Sequence, residues 1–166
     1  MIDVILDIET TGFNRFEDRI TAIGVIYANE EKCFINESEE ELLKEFWRWC
    51  DSLYECPRFI GFNLIPFDFD FIYKRSLKYN ITTLKSIRNS MVDLMNVLRF
   101  YNYGSDSKGK LEDYAMLMNI NGKLTNGLEA IKMWEEKNFD KLKEYCLQDC
   151  RITKELYERC AKLKII

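Results

Sequence analysis

Apolar and polar positions alternate from the first residues of the chain. In IDVILDIET (2–10), Val4, Leu6 and Ile8 fall on one face and Asp3, Ile5, Asp7 and Glu9 on the other, the period of a strand. Similar patterning predicts strands over 19–28 and near 32–36, the first reached through the short polar stretch TTGFNRFED. Ser38 and Glu41 have the spacing of a capping box, and LLKEFWRWCDSL continues as an amphipathic helix. RFIGF (58–62) reads as a further strand. Pro66 then sits where the first turn of a helix tolerates it, and FDFDFIYKRSLKY supplies that helix. A short strand near Met91–Leu94, helices around 111–119 and 127–136, and a long helix from about Phe139 to Leu163 complete the pattern. Strands first, then strands mixed with helices, indicate an α/β or α+β sheet covered by helices. GSDSKGK (104–110) is the one clear candidate for a mobile loop, and no repeat or linker divides the chain.

A length of 166 residues suits one sizeable core and is short for two, so a single domain over 1–166 is expected. With 47% apolar and 31% charged residues, the composition is that of an ordinary soluble domain. A net charge of −4 argues against a protein that coats nucleic acid or an anionic membrane. It leaves room for an enzyme of nucleic acids, because carboxylates that hold metal inflate the negative count. The first residues lack the order of a secretory signal and no apolar run approaches a membrane span, so no membrane partner is expected. The six cysteines (33, 50, 56, 146, 150, 160) contain no CxxC, which disfavours a zinc ribbon, and they read as reduced thiols of a cytoplasmic protein. Histidine is absent, which removes Ser-His-Asp and Cys-His hydrolysis and His-based zinc sites together.

The first strand carries the question of chemistry. Asp7 and Glu9 point to one face of a segment that otherwise reads as buried, where they repel each other and lose hydration. Asp68 lies in GFNLIPFD, where a strand hands over to a helix, and its carboxylate can face the end of the sheet. Asp149 lies on the last helix, one turn after Tyr145, in the stripe Leu142, Tyr145, Asp149, Ile152 and Leu156 that should face the protein. Each feature alone has an ordinary reading as a turn acceptor, a helix-packing pair or a common DxE. Together, four converging carboxylates cannot stay ionised without cations. All-oxygen ligands suit two hard divalent ions, Mg²⁺ or Mn²⁺, the arrangement that handles in-line displacement at phosphorus.

These residues resemble the motifs of the DEDD superfamily of 3′–5′ exonucleases, in the branch of the proofreading domain of family B DNA polymerases. DIETTG is similar to the first motif, Asn63 to Asp68 (NLIPFD) to the second, and Tyr145 to Asp149 (YCLQD) to the third. The tyrosine in the third motif, with no histidine in the chain, points to the tyrosine branch. The resemblance covers essentially the whole chain and implies a ribonuclease H-like fold, a mixed sheet of about five strands flanked by helices. It implies that Asp7, Glu9, Asp68 and Asp149 hold two Mg²⁺ or Mn²⁺ ions and that Tyr145 orients the attacking water, since a pKa of about 10 makes it a poor base. The implied reaction releases nucleoside 5′-monophosphates from a free 3′-OH of single-stranded DNA, with RNA left open.

The resemblance further implies substrate contacts at Thr10, Thr11 and Gly12, whose small size lets backbone approach a sugar, and at Asn63, Phe67, Leu111 and Lys123. Phe71 could stack on a base, although core packing accounts for it better. Lys110 stands where the family often has Ser or Thr, and Asn126 stands where an apolar residue would follow the lysine. Two other readings remain: a catalytically weak module that grips 3′ ends within a replication or repair assembly, and an RNA exonuclease. Cys146 and Cys150 flank Asp149 and read as small packing residues rather than a redox switch.

Overall fold

The computed structural model describes residues 1–84, 90–100, 108–120 and 127–166. Its centre is strand β1 (Ile2–Thr10), which pairs antiparallel with β2 (Ile20–Tyr27). β2 pairs antiparallel with β3 (Glu30–Ile35) through a two-residue turn, Ala28-Asn29, with φ of 48° and 66°. Positive φ at both positions is the mirror-type turn whose twist matches that of the strands. On the other side of β1 run β4 (Pro57–Gly61) and β5 (Met91–Asp93), both parallel. The order β3-β2-β1-β4-β5 gives the mixed five-stranded sheet that the motifs imply.

The alternation in β1 sorts two layers of helix onto the sheet. Val4, Leu6 and Ile8 pack with Leu42, Leu43 and Phe46 of α1 (Glu39–Ser52) and with Phe71 and Ile72 of α2 (Asp70–Lys78). Ile5, Ile26 and Ile60 pack beneath Cys150 and Leu156 of α6 (Phe139–Lys162). Burying each large apolar side chain contributes roughly 1.5–3 kcal/mol, so the two faces fix the sheet between its helices. Phe71 is fully buried in the first layer. Among the described residues no helix is long and apolar enough to cross a membrane, and all six cysteines are free thiols.

Several expectations are adjusted. Ser38 Oγ accepts the Glu41 amide at 3.3 Å, but the reciprocal half of the capping box is absent. Asn36 is closer, and its Oδ1 takes the Ser38 N–H at 2.9 Å, while Glu41 pairs with Lys44. The helix expected near Pro66 begins earlier, as a wide π-helical turn over Leu64–Phe69 that leads into α2. A short helix α3 (Leu94–Arg99), capped by Asp93, follows β5 where none was foreseen. α4 (Leu111–Leu117) and α5 (Gly127–Glu135) fall where the pattern placed them. Residues 104–107 of the expected mobile loop lie outside the described residues.

The buried line of α6 differs from the expected stripe. Its fully covered positions include Leu142, Cys146, Cys150 and Ile152, and Tyr145 and Asp149 lie half-buried beside that seam. The cause lies in β2. Gly24 stands under the helix, and a Cβ there would come within 2.8 Å of Cys146 Sγ and 3.0 Å of Cys150 Sγ. A glycine facing two small thiols lets the helix lie close to the sheet.

Candidate active site

The site is assembled at one end of β1. β4 pairs with β1 only from Ile2 to Ile5, so the strand's later residues lack a β-partner on that side. The π-helical turn fills the gap: Asp68 Oδ1 accepts the Ile8 N–H at 3.1 Å. This hydrogen bond holds a buried carboxylate beside the strand that carries Asp7 and Glu9. From the other face, the close seam at Gly24 brings in α6 with Tyr145 and Asp149, and Cys146 Sγ lies 3.6 Å from the Asp7 carbonyl oxygen. A bulge between Glu9 and Thr10 then ends the regular pairing with β2.

The electrostatics of this group are one-sided. Burial pushes the Asp7 carboxyl well above the usual carboxylate range, and Asp68, Asp149 and Glu9 push it further. Glu9 is raised in the same way, by burial and then by Asp149 and Asp68. Burial also raises Asp68; Asp93 adds to this, and the Ile8 N–H works against it. Asp149 is pushed up to about 7 by burial and by Glu112. None of the four forms an ion pair with a basic side chain among the described residues. No hydrogen bond there reaches the carboxylates of Asp7 or Glu9, and Glu9 is only 7% exposed. Oxygen donors this crowded and this short of protein cations fit hard divalent ions.

Asp7, Glu9, Tyr145 and Asp149 line one cleft of about 370 Å³, together with Thr10, Gly12, Phe13, Phe67, Glu112, Leu128 and Ile131. Asp68 is buried just behind that wall, 3% exposed. Of the expected substrate contacts, Thr10, Gly12 and Phe67 are on the cleft. Thr11, Asn63 and Leu111 are not among its lining residues. The Thr11 hydroxyl contacts Asp18 and accepts the Arg19 N–H at 3.1 Å, and the Thr11 amide donates to the Arg19 carbonyl. Asn63 adopts a left-handed φ of 61° and its amide donates to Asp93 at 3.1 Å. Leu111 packs against the Ile5 and Ile60 cluster, and its neighbour Glu112 faces the cleft instead. Lys123 and Asn126 lie outside the described residues.

The loop after the first motif is firmly held. Arg15 donates to the Pro66 carbonyl at 2.7 Å, pairs with Asp70 and lies over the rings of Phe67 and Phe71. Arg75 reaches the Phe16 carbonyl at 3.2 Å while its fork is gripped by buried Glu39. This presents Phe13, 80% exposed, 6.1 Å from the Phe67 ring at the mouth of the cleft. Neither Phe13 nor Glu112 was foreseen, since neither belongs to a spaced motif. A larger cleft of about 820 Å³ lies at the β5 edge, between Arg58, Met91, Tyr157 and Ile166. Asp93, on its lining, is already engaged by backbone amides.

A family model described as the RNase_H superfamily matches residues 4–161. The chain belongs to the RNase H superfamily. An uncharacterized protein of Methanocaldococcus jannaschii is 36% identical over 170 residues, covering 95% of this chain and 94% of that one. Among solved structures, the family B DNA polymerase of the hyperthermophilic archaeon Pyrobaculum calidifontis superposes with a TM-score of 0.74 at 18% identity. That match covers 99% of this chain and 25% of the polymerase chain, so it speaks for the fold. Superfamily membership and this fold support a nuclease-like domain with nucleic acid as its substrate class.

Proposed function

We propose that this RNase H superfamily protein is a metal-dependent 3′–5′ exonuclease that removes nucleotides from single-stranded ends. One observation carries the reading: Asp7, Glu9 and Asp149 gather with Tyr145 on one cleft, and no basic side chain among the described residues pairs with these three carboxylates. Asp7, Glu9, Asp68 and Asp149 would hold two Mg²⁺ or Mn²⁺ ions. When bound, such ions supply Lewis acidity to both the attacking and the leaving oxygens of an in-line displacement. The protein's own groups do the positioning. Tyr145 offers a hydroxyl beside Asp149 that holds the attacking water in line. Asp68, fixed by the Ile8 amide, keeps its place at the end of β1. Phe13 and Phe67 form an apolar, tilted pair on which the last bases stack, and Thr10 and Gly12 border the sugar. Leu128 and Ile131 add apolar surface to the same cleft, whose volume of about 370 Å³ suits a single strand better than a duplex.

DNA is the favoured substrate because the superposed structure is a DNA polymerase. The retained acidic set argues against a module that merely grips ends. The test is a 5′-labelled oligonucleotide, as DNA and as RNA, with Mg²⁺, with Mn²⁺ and with chelator. The expected product ladder shortens one nucleotide at a time, needs metal and stalls at a 3′-phosphate. Immediate release of the label as a mononucleotide, or cleavage of circular single strands, would sink the proposal.

A further inference from the structure

Asp7, Glu9 and Cys146 each bring a ligand atom to one place: two carboxylate oxygens and a sulfur that all lie within 4.8 Å of one another. The thiol is fully buried, and its hydrogen bond reaches the Asp7 carbonyl at 3.6 Å. Glu9, 7% exposed, faces the cleft without a hydrogen-bond partner among the described residues. A hard ion such as Mg²⁺ takes no benefit from sulfur. A borderline or soft ion does. Tetrahedral Zn²⁺ holds sulfur at about 2.3 Å and oxygen at about 2.0–2.2 Å, which sets its donors about 3.5 Å apart. The three groups therefore need to close by little more than about 1 Å, within the reach of side-chain rotation.

We propose that Asp7, Glu9 and Cys146 form a thiophilic-cation site that overlaps the hard-ion site, so that Zn²⁺ or Cd²⁺ displaces Mg²⁺ or Mn²⁺ and silences the nuclease. The silencing rests on the exonuclease reading; the binding does not. On binding, the S–H bond breaks, the proton passes to solvent and a sulfur–metal bond forms, with no change of oxidation state.

The test is Cd²⁺ titration of metal-free protein in a Cys56→Ser background, which removes the exposed thiol. The readout is the ultraviolet thiolate-to-cadmium charge-transfer band. The expected band saturates at one equivalent, disappears in Cys146→Ala, persists in Cys160→Ala and weakens at least about tenfold in Asp7→Asn. If Cys146→Ala fails to fold, Cys146→Ser keeps the volume and lacks the band. Cys33 and Cys150 also contact the Cys146 thiol. A band that needs those two sulfurs and ignores Asp7 and Glu9 would mean an all-sulfur site and overturn the assignment. Mn²⁺-induced thermal stabilisation of the same protein reports the hard-ion site by itself. Stabilisation without a band overturns this inference and leaves the exonuclease reading standing. A band without stabilisation or nuclease activity supports the thiophilic site and overturns that reading.

Discussion

One face of β1 carries carboxylates at both ends, and the two ends are treated in opposite ways. At the start, Asp3 is gripped by the Arg58 fork at 2.7 and 2.9 Å and by the Tyr157 hydroxyl at 2.8 Å. Burial raises its pKa, but Arg58 and Tyr157 outweigh that and hold it below the usual range. At the far end, Asp7 and Glu9 have no basic partner among the described residues, and burial and repulsion from the neighbouring acids drive them up. The chain thus has the means to neutralise a carboxylate on this face and uses it at Asp3, while the carboxylates that line the other cleft keep no basic partner among the described residues. A charge left unpaired beside a cleft is a charge arranged for something that arrives from solution.

The sharpest way to break this comparison is to remove charge at the open end. Asp7→Asn and Asp149→Asn should each lower nuclease activity by at least about 10³-fold while leaving the metal-free protein as stable or more so. Tyr145→Phe should retain more activity than either, because only the aim of the water changes. Steady-state rates on a labelled single strand, paired with urea melts, read both quantities. Equal stability loss in the Asp variants would make these acids structural.

Supplying a divalent cation should reverse the asymmetry. Mn²⁺ at a hundred times its Kd stabilises a native-only site by about 2.7 kcal/mol, roughly 5–10 °C in Tm for a chain of this size. Chelator should return the melt to its starting point, and Asp7→Asn should abolish the shift.

The two ends also have opposite pH dependence. A carboxyl raised in the folded state favours folding while protonated, so its contribution is present below the unfolded value of 3.8 and is lost as pH rises through about 7. Metal-free protein should therefore melt lower at pH 8 than at pH 5, and Asp149→Asn should recover on the order of 2 kcal/mol at pH 8. A melting temperature that rises across this interval and is unchanged by the substitution would contradict the raised value. The smallest effect belongs to the paired end. Asp3 and Arg58 are each more than a third exposed, so Arg58→Met should cost about 0.2–1 kcal/mol, and activity should not change. Asp3, being depressed, contributes only above the unfolded value and loses its part as pH falls below 3.8.

What was legible in the sequence was whatever has a short period. A spacing of two placed Asp7 and Glu9 on one face, and a spacing of four placed Tyr145 and Asp149 together. Both arrangements follow from local geometry. Glu112 was illegible because α4 meets α6 through tertiary packing, and no interval along the chain encodes that meeting. Of the expected substrate contacts, the Thr11 hydroxyl accepts the Arg19 N–H within the chain, as short polar residues in turns tend to do, and the Asn63 backbone N–H donates to Asp93. The seam of α6 was misjudged by about one residue because Cys146 and Cys150 count as neither strongly apolar nor polar. What they face is set by the register that brings Gly24 opposite both Asp7 and Cys33.

Gly24 touches no ion and no nucleotide, yet it gauges the distance between the strand bearing Asp7 and the helix bearing Asp149. An added methyl would meet Cys146 Sγ at 2.8 Å and its carbonyl oxygen at 3.3 Å, and the backbone contact leaves the helix little choice but to lift. Misplacement of a reacting group by about 1 Å can reduce a rate about 10²-fold. In a saturation screen for function, position 24 should therefore tolerate as little as the acids themselves, while bearing no reactive atom. Drift at that position would be an inconspicuous route by which a descendant could keep every carboxylate and yet lose the reaction.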